Sequence, residues 1–414
     1  MYRSTIWLII ALMLLLDLYV FQVVKFLSQG CTSRTRLGIG IGYWALSLAV
    51  VFFIYITPSM SAGPTRNYLL AIILGIFLAK LLACFFFLAD DFRRLIQWMV
   101  GRLFFRRNEG EAVAGGEGVS RSVFISWVGL AVGGGIFGTL LYGFRNKYNY
   151  HVRRVTLKYP NLPAGFEGFK FIQVSDIHSG SFTNKAAVNH GVDLILGEQP
   201  ECILFTGDLV NDRSSEMDAY KDVFSRLKAP MGVFSTLGNH DYGDYAWWPS
   251  IEEKEENLER LKRIQREMGW RLLMNEHVIL ERGGDRIALL GIENWSAKAR
   301  FPKYGRMELA YPGTEQIPFK ILMSHDPSHW DAQVRNEYPD IDLTLAGHTH
   351  GMQFGLELPG FKWSPVEYVY KEWAGLYEAD KQKLYVNRGY GFIGYPGRVG
   401  ILPEITVFEL QRSS

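Results

Sequence analysis

Residues 170–178 read KFIQVSDIH. The apolar run from Phe171 to Val174 predicts a short buried β-strand, and it ends abruptly at Asp176 and His178. A carboxylate and an imidazole two positions apart, where a strand opens into a loop, can both turn toward one metal ion. A polar strand end with no metal has the same appearance, so the rest of the chain decides between the two interpretations.

Four later segments also end an apolar run in residue types that bind metals. They are CILFTGD with Asp208, VFSTLGNHD with Asn239, His240 and Asp241, FKILMSHDP with His325, and DLTLAGHTH with His348 and His350. Glycine precedes three of these residues, at Gly207, Gly238 and Gly347, where the absence of a Cβ permits a sharp turn. The segments are so far apart in sequence that only the fold can assemble them into one site.

Composition limits the class of protein. The chain has 414 residues, of which 48% are hydrophobic, enough for one large domain and a further segment. A net charge of +2 gives no support for a nucleic-acid partner, and no protein partner is inferable from the sequence. The three cysteines form neither a disulfide framework nor a metal-binding spacing.

The first 150 residues contain four apolar stretches of about the 20 residues that a membrane-spanning helix requires. The predicted spans are Ile6 to Phe26, Leu37 to Thr57, Tyr68 to Leu88 and Val123 to Phe144. The first is interpreted as a retained anchor, because no small-residue cleavage site follows it and three further spans do. The alternative is a set of buried helices in a soluble protein.

Two charged residues interrupt the predicted spans, Asp17 in the first and Lys80 in the third. Both lie at similar depth, so the preferred interpretation is an ion pair that fixes helix packing. The alternative is a lipid-headgroup or ion site.

The loop after the third span begins DDFRRLIQWMVGRLFFRR, with apolar residues at helical spacing. This pattern predicts an amphipathic helix, either at the membrane interface or packed on the soluble domain. The following EGEAVAGGEG is expected to be a flexible acidic linker.

Basic residues near the spans predict the topology. One side of the membrane would hold nine of them, Lys25, Arg34, Arg36, Arg93, Arg94, Arg102, Arg106, Arg107 and Arg121. The other would hold seven, Arg3, Arg66, Arg145, Lys147, Arg153, Arg154 and Lys158. Because cytoplasmic loops are the more positive ones, we expect a multi-pass protein of the plasma (inner) membrane with its C-terminal domain outside the cytoplasm.

From about residue 155 onward, the five motifs in their order and spacing resemble those of the calcineurin-like metallophosphoesterase family, in particular its membrane-anchored bacterial branch. The resemblance implies an α/β fold, a four-layer αββα sandwich, here preceded by four transmembrane α-helices. The expected domains are residues 1–150 for the membrane anchor and residues 151–414 for the phosphoesterase.

The same resemblance implies two divalent metal ions and assigns their ligands. Asp176, His178, Asp208 and His350 would hold one ion, whereas Asn239, His325 and His348, with Asp208 bridging, would hold the other. Mixed nitrogen and oxygen ligands suit Mn, Fe or Zn, and the sequence does not choose among them.

His240 resembles the catalytic residue of the family that does not bind metal. It would stabilise the transition state or protonate the leaving oxygen, with Asp241 orienting its ring, or else be a purely structural histidine. Arg388 and Arg398, in the Gly-rich C-terminal segment, are candidates for binding phosphate.

Aromatic residues crowd the segments that follow His240 and His350. They are Tyr242, Tyr245, Trp247, Trp248, Phe354, Phe361, Trp363, Tyr368 and Trp373. The functional interpretation is a rim that enters the bilayer interface or holds acyl chains, with Trp247 and Trp248 as substrate contacts. The structural interpretation is aromatic packing of loops on the sandwich.

The leading hypothesis is a membrane-anchored metallophosphoesterase acting on a phosphorylated small molecule or lipid, through a phosphodiester or pyrophosphate bond. One alternative is an enzyme resembling UDP-2,3-diacylglucosamine pyrophosphatase. A second alternative, from another class, is a non-catalytic metal-binding membrane scaffold. Loss of a metal ligand would mark the scaffold, and no ligand is missing here.

Overall fold

A computed structural model describes residues 3–61, 63–104, 121–298 and 300–413. The chain divides into two compact units, Met1–Tyr142 and Gly143–Ser414, which we call the membrane unit and the catalytic unit. The boundary lies eight residues before the expected one. Residues 143–150 belong to the catalytic unit, where the backbone N–H of Arg398 donates to the Gly143 carbonyl at 2.9 Å.

Within its described residues, the membrane unit consists of four long helices. They are α1 (Arg3–Leu27), α2 (Ser33–Ile56), α3 (Pro64–Phe104) and α4 (Arg121–Gly143). Each is long and apolar enough to cross a membrane, as the sequence predicted. Thr32 caps α2, because its side-chain oxygen accepts a hydrogen bond from the Thr35 N–H at 3.3 Å.

Helix α3 does not end where the predicted third span ends. It continues without a break from Pro64 through the expected amphipathic segment to Phe104, 41 residues in all. The physical reason is that neither glycine nor proline separates Leu88 from Phe92. The last residues of the predicted amphipathic segment and the acidic linker lie outside the described residues.

Asp17 and Lys80 form the predicted ion pair, which joins α1 to α3. The Asp17 carboxylate is buried, and it also accepts hydrogen bonds from the hydroxyls of Tyr43, at 2.9 Å, and Ser47. All three partners lie on helices of the same unit, so the buried charge is neutralised and hydrogen-bonded within the bundle.

The catalytic unit contains two six-stranded sheets. Sheet I has the order β1-β14-β2-β3-β4-β5, formed by His151–Tyr159, Glu404–Arg412, Phe169–Val174, Cys202–Phe205, Val233–Ser235 and Trp270–Leu272. Sheet II has the order β12-β13-β9-β8-β7-β6, formed by Gly375–Ala379, Gln382–Val386, Leu343–Ala346, Lys320–Met323, Asp285–Gly291 and Glu276–Arg282. A separate hairpin pairs β10 (Leu356–Leu358) with β11 (Phe361–Trp363).

The two sheets pack face to face through one apolar cluster, which includes Phe171, Leu204, Ile321 and Leu345. Helices cover the outer faces, α5 (Lys185–Gly197), α6 (Lys221–Phe224) and α7 (Ile251–Glu267) on sheet I, and α8 (Met307–Ala310) on sheet II. The helical turn Trp330–Val334, which leads into α9 (Arg335–Glu337), also packs on sheet II. This arrangement confirms the four-layer αββα sandwich.

Parallel pairing determines where the motifs meet. Strands β2, β3 and β4 run parallel in sheet I, as do β8 and β9 in sheet II. Each motif follows the carboxyl end of one of these strands. The fold therefore gathers the five motifs along one edge of the sandwich.

Candidate metal centre

The first group of candidate ligands joins motifs from both sheets. Asp176, His178 and His350 offer ligand atoms that lie within 4.8 Å of one another. The nearest measured approach is 3.3 Å, between His350 Nε2 and Asp176 Oδ1. All three residues are buried.

The second group is built around Asp208. His325 Nε2 lies 3.2 Å from Asp208 Oδ2, and His348 completes the group within the same 4.8 Å limit. Asn239 adjoins this group, because its Oδ1 lies 2.7 Å from His348 Nδ1. The same Asp208 oxygen lies 3.5 Å from His178 Nε2, so Asp208 stands between the two groups.

The backbone at this edge adopts an uncommon conformation. Five of the seven predicted ligands have positive φ angles between 49° and 70°, namely Asp176, His178, Asp208, His348 and His350. Only five other described non-glycine residues share this feature. Left-handed backbone costs free energy for residues with a Cβ, and such strain typically accumulates at functional sites.

Two of the motif glycines are required for different reasons. Gly207 has a φ of 97°, a conformation that favours glycine. Gly347 has no such angle, but a Cβ there would lie 2.2 Å from the Asp176 carboxylate. The expected sharp turn is therefore present at Gly207, whereas Gly347 allows close approach of the chain to a ligand residue.

Several imidazole nitrogens in the site are buried and have no hydrogen-bond partner. They are Nε2 of His178, His325 and His350 and also Nδ1 of His178. Buried polar atoms are nearly always paired, so unpaired nitrogens that face carboxylates call for a cation. His325 Nδ1 lies 2.7 Å from the Thr206 carbonyl, which it can reach as a donor, leaving the Nε2 lone pair for a metal. These residues fit divalent metal ions.

Burial governs the ionisation of these groups. It raises the pKa of Asp176 to about 6, and it lowers the pKa of His178 to about 3 and that of His348 to about 4. At His325 burial also acts to lower the pKa, but the charge and hydrogen bond of Asp208, the Asp176 carboxylate and the Thr206 carbonyl together raise it to about 10. His178 and His348 are therefore neutral at pH 7, the state in which a histidine can bind a metal.

His240 faces the centre from one side. Its ring centroid lies 5.0 Å from that of His178, and its Nδ1 lies 2.7 Å from the Asn211 carbonyl oxygen. This contact makes Nδ1 the protonated nitrogen and leaves Nε2 available. His240 is also partly exposed, as a residue that meets a substrate must be.

Asp241 does not orient the His240 ring, contrary to the prediction. Its carboxylate accepts backbone hydrogen bonds from Asp208 and Gly238, both at 2.9 Å, and from Leu209 at 2.8 Å. The Asp241 side chain therefore joins the loop after β3 to the loop after β4 through hydrogen bonds. The orienting group for His240 is the Asn211 carbonyl, which no side-chain pattern reveals.

The two C-terminal arginines are both buried. Arg398 is fully buried, and its guanidinium donates to the carbonyls of Arg388 at 2.7 Å and Gly389 at 3.1 Å. Its Nη2 also lies 3.3 Å from His350 Nδ1. Arg388 is buried as well and pairs with Glu404 at 2.5 Å. Most of the N–H donors of these two arginines are used within the fold, which argues against phosphate binding, but Nε of each has no hydrogen-bond partner among the described residues. Phosphate binding by these arginines stays a prediction.

The aromatic residues that follow His240 and His350 include both buried and exposed side chains. Tyr242 and Trp373 are buried, which favours the structural interpretation for them, whereas Trp247 is 78% exposed. Trp248 stacks beneath Arg213, whose Cζ lies 4.2 Å from its ring, and donates to the Gly243 carbonyl. Trp248 therefore stabilises its own loop, and Trp247 stays a prediction.

Two residues near the site, Tyr370 and Asp326, were not predicted from the sequence. Tyr370 Oη lies 2.8 Å from His348 Nε2 and donates to Asp326 at 3.2 Å. Tyr245, which belongs to the predicted aromatic rim, accepts a hydrogen bond from Asn239 Nδ2 at 3.0 Å. Asp326 directly follows His325, and this position in the motif was the one available signal for it.

Comparisons with known families match both parts of the chain. Residues 2–147 match the family described as "Probable Calcineurin-like phosphoesterase, transmembrane domain". Residues 169–352 match the family described as "Calcineurin-like phosphoesterase".

Three curated relatives illustrate the range of similar proteins. The uncharacterized metallophosphoesterase YkuE of Bacillus subtilis is 30% identical over 69% of this chain and 93% of its own length. The phosphodiesterase YaeI of Escherichia coli is 29% identical over 58% of this chain and 82% of its own. A transmembrane protein with metallophosphoesterase domain from Danio rerio is 29% identical over 63% of this chain, and the match spans 57% of that protein.

Proposed function

Because this chain belongs to the calcineurin-like metallophosphoesterases and carries four membrane-spanning helices, we propose that it hydrolyses phosphodiester or pyrophosphate bonds with two divalent metal ions. The observation that carries the proposal is the set of buried, unpartnered imidazole nitrogens of His178, His325 and His350 beside Asp176 and Asp208. Water would add across a P–O bond, giving a phosphate monoester and an alcohol, or two monoesters from a pyrophosphate.

In this proposal each group of ligands holds one ion. Asp176, His178 and His350 would hold the first, and His325 and His348 the second. Asn239 would join the second ion and Asp208 would bridge both. When bound, such a pair of ions polarises the phosphoryl group and lowers the pKa of the attacking water.

His240 is the residue left to act directly on the substrate. When the ring is protonated, Nε2 can donate a hydrogen bond to a phosphoryl oxygen or give its proton to the leaving oxygen. Its partial exposure and the fixed Nδ1 contact with Asn211 support this role, because the ring is held and yet accessible.

We extend the proposal to an amphipathic, lipid-linked substrate. The support is the β10–β11 hairpin, whose outward residues Leu358 and Phe361 are 54% and 55% exposed. Between the exposed Leu356 and Leu358, the alternate residue Glu357 turns inward and pairs with Arg153 and Arg388, each at 2.6 Å. The hairpin is therefore anchored by charge on one face and presents apolar side chains on the other.

The base of this hairpin lies close to the first residue of the catalytic unit. The Gly355 N–H donates to the Val399 carbonyl at 2.9 Å, and the neighbouring Arg398 N–H donates to the carbonyl of Gly143. Exposed apolar side chains such as those of the hairpin are suited to a lipid surface or to an acyl chain.

The reaction is tested with the detergent-purified full chain, Mn²⁺, and an aryl phosphodiester and monoester. We expect metal-dependent release of the aryl alcohol and two bound metal ions per chain. Asp208→Asn should lose both the turnover and the bound metal. The matched control is His190→Asn, which changes an exposed histidine on α5. Two bound metal ions with no turnover of any ester would contradict the proposed hydrolase and favour a non-catalytic metal-binding scaffold.

The substrate class is tested with 4-nitrophenyl diesters that carry a methyl or a decyl group. We expect kcat/KM to rise with chain length and the rise to shrink in a Leu358→Ser/Phe361→Ser variant. An identical preference in the variant, or no dependence on chain length, would contradict the lipid-linked substrate.

We also propose that the catalytic unit lies outside the cytoplasm, in the plasma (inner) membrane. The support is the balance of nine to seven basic residues near the spans. A reporter active only outside the cytoplasm, fused after Ser414, should be active, and a reporter that requires the cytoplasm should be silent.

A further inference from the structure

The loop between β7 and α8 places an arginine beside the candidate metal centre. The Phe301 ring centroid lies 4.7 Å from that of His348, and Arg300 Cζ lies 4.6 Å from the centroid of Phe301. Arg300 is exposed to solvent. Its guanidinium is thus one aromatic ring away from a candidate ligand.

Lys298 approaches the same histidine through a different ring. Its Nζ lies 5.3 Å from the Tyr370 ring centroid, and Tyr370 Oη lies 2.8 Å from His348 Nε2. Two cations of one short segment therefore stand over two aromatic side chains that both contact His348.

Neither cation is neutralised by an acidic side chain among the described residues, in contrast to Lys371, which pairs with Asp331 and Glu372. Their aromatic contacts are weak and leave the N–H donors available. A basic pair with free donors at the mouth of a phosphoesterase site is suited to an anion.

We propose that Arg300 and Lys298 bind a second anionic phosphate group of the substrate, adjacent to the phosphate that is hydrolysed. The inference rests on the proposed function and narrows its substrate class to diphosphate-containing esters. Arg300 can meet a phosphate with two parallel N–H donors, whereas Lys298 contributes a point charge.

The test uses two inhibitors of aryl phosphodiester hydrolysis that differ by one anionic group, dimethyl phosphate and P,P′-dimethyl methylenediphosphonate. We expect the native protein to bind the diphosphonate at least about tenfold more tightly, a difference of about 1.4 kcal/mol. The Lys298→Ala/Arg300→Ala variant should lose this advantage while its affinity for dimethyl phosphate changes less than threefold.

Lys303→Ala is the matched control. It removes an exposed cation of the same loop whose Nζ lies over Trp295, at 4.6 Å from the ring centroid. This variant should keep the preference for the diphosphonate. A preference that survives in the double variant, or is lost equally in Lys303→Ala, overturns the proposal.

Calorimetric titration of the Mn²⁺-loaded protein with both inhibitors gives a readout that does not need turnover. Diphosphonate binding that depends on Lys298 and Arg300, in a protein that hydrolyses no ester, would reject the proposed enzyme and retain the anion subsite. Turnover of the aryl diester, combined with diphosphonate binding that does not depend on Lys298 and Arg300, would retain the proposed enzyme and reject the anion subsite.

Discussion

His240 Nδ1 lies 2.7 Å from the carbonyl oxygen of Asn211, and this contact holds a partly exposed imidazole against the candidate metal centre. The position of that carbonyl is itself fixed, because the Glu216 carboxylate accepts the backbone N–H groups of Asn211 at 2.6 Å and Arg213 at 3.0 Å. The candidate catalytic ring is thus oriented by a turn of backbone rather than by a side chain.

The first prediction concerns His240→Asn. We expect turnover of the aryl diester to fall by about 10²–10⁴-fold, the usual contribution of a general acid, because the free Nε2 is removed. Bound metal, measured by elemental analysis, should stay at the native level, since His240 belongs to neither group of candidate ligands. Native turnover with both metals bound would exclude the catalytic role.

The second prediction concerns Asp241→Asn, which exchanges one carboxylate oxygen for an amide group that cannot accept hydrogen bonds. Backbone donors of Asp208, Leu209 and Gly238 converge on this carboxylate, so at least one buried N–H group loses its partner. We expect the free energy of unfolding to fall by about 1–3 kcal/mol.

Thermal unfolding of metal-free protein is the measurement for Asp241, because it separates the hydrogen-bond network from metal binding. Unchanged unfolding combined with a large loss of turnover would return Asp241 to an orienting role in catalysis.

The third prediction is a pH dependence of stability that arises from Asp342. This residue precedes β9, at the opposite end of the strand from His348. Burial raises its pKa to about 6, although its oxygens accept hydrogen bonds from Asn161 and the Lys320 N–H, both at 2.8 Å. The folded state holds the proton more tightly than the unfolded state, so this contribution to stability is present below pH 4 and is lost as pH rises through 6.

A shift of about two pKa units corresponds to about 3 kcal/mol. Asp342→Asn should therefore gain stability relative to the native protein as pH rises from 4.5 to 7.5, in thermal unfolding at matched ionic strength. Asp380→Asn, at an exposed position, should show a constant difference from the native protein. A constant difference for Asp342→Asn as well would contradict the prediction.

The fourth prediction concerns the ion pair of Asp17 and Lys80 in the membrane unit. Lys80→Met leaves a buried carboxylate without its cation, and breaking such a pair typically costs about 3–5 kcal/mol. The Asp17→Leu/Lys80→Met variant should recover most of the thermal stability in detergent, with native turnover per folded molecule. A stable but inactive double variant would give the pair a functional role.

Much of the candidate site could be predicted from the sequence because its residues follow strand ends in short motifs. Asp208 and His348 were found in this way, and parallel strand pairing explains why they meet. The Asn211 carbonyl could not be found, since any residue type carries one. The environment of Arg398 could not be predicted for another reason: charged side chains are rarely fully buried, and no sequence pattern indicates that its donors face backbone carbonyls.

In the membrane unit, too, some features could be predicted from the sequence and others could not. Hydropathy identified all four spans, because length and apolar content are sufficient evidence for them. The change of composition at Leu88 predicts an end of the third span there, but no helix breaker lies between Leu88 and Phe92, and the helix continues.

The length of α3 has a further consequence. At about 1.5 Å per residue its 41 residues form a rod of about 60 Å, twice the roughly 30 Å of the hydrocarbon layer. In the predicted topology of four spans the chain returns to its starting face, so this topology places the surplus on the face opposite to residue 143. A label at Trp98 would therefore read out the sidedness of the whole protein without any change to the residues that perform the chemistry.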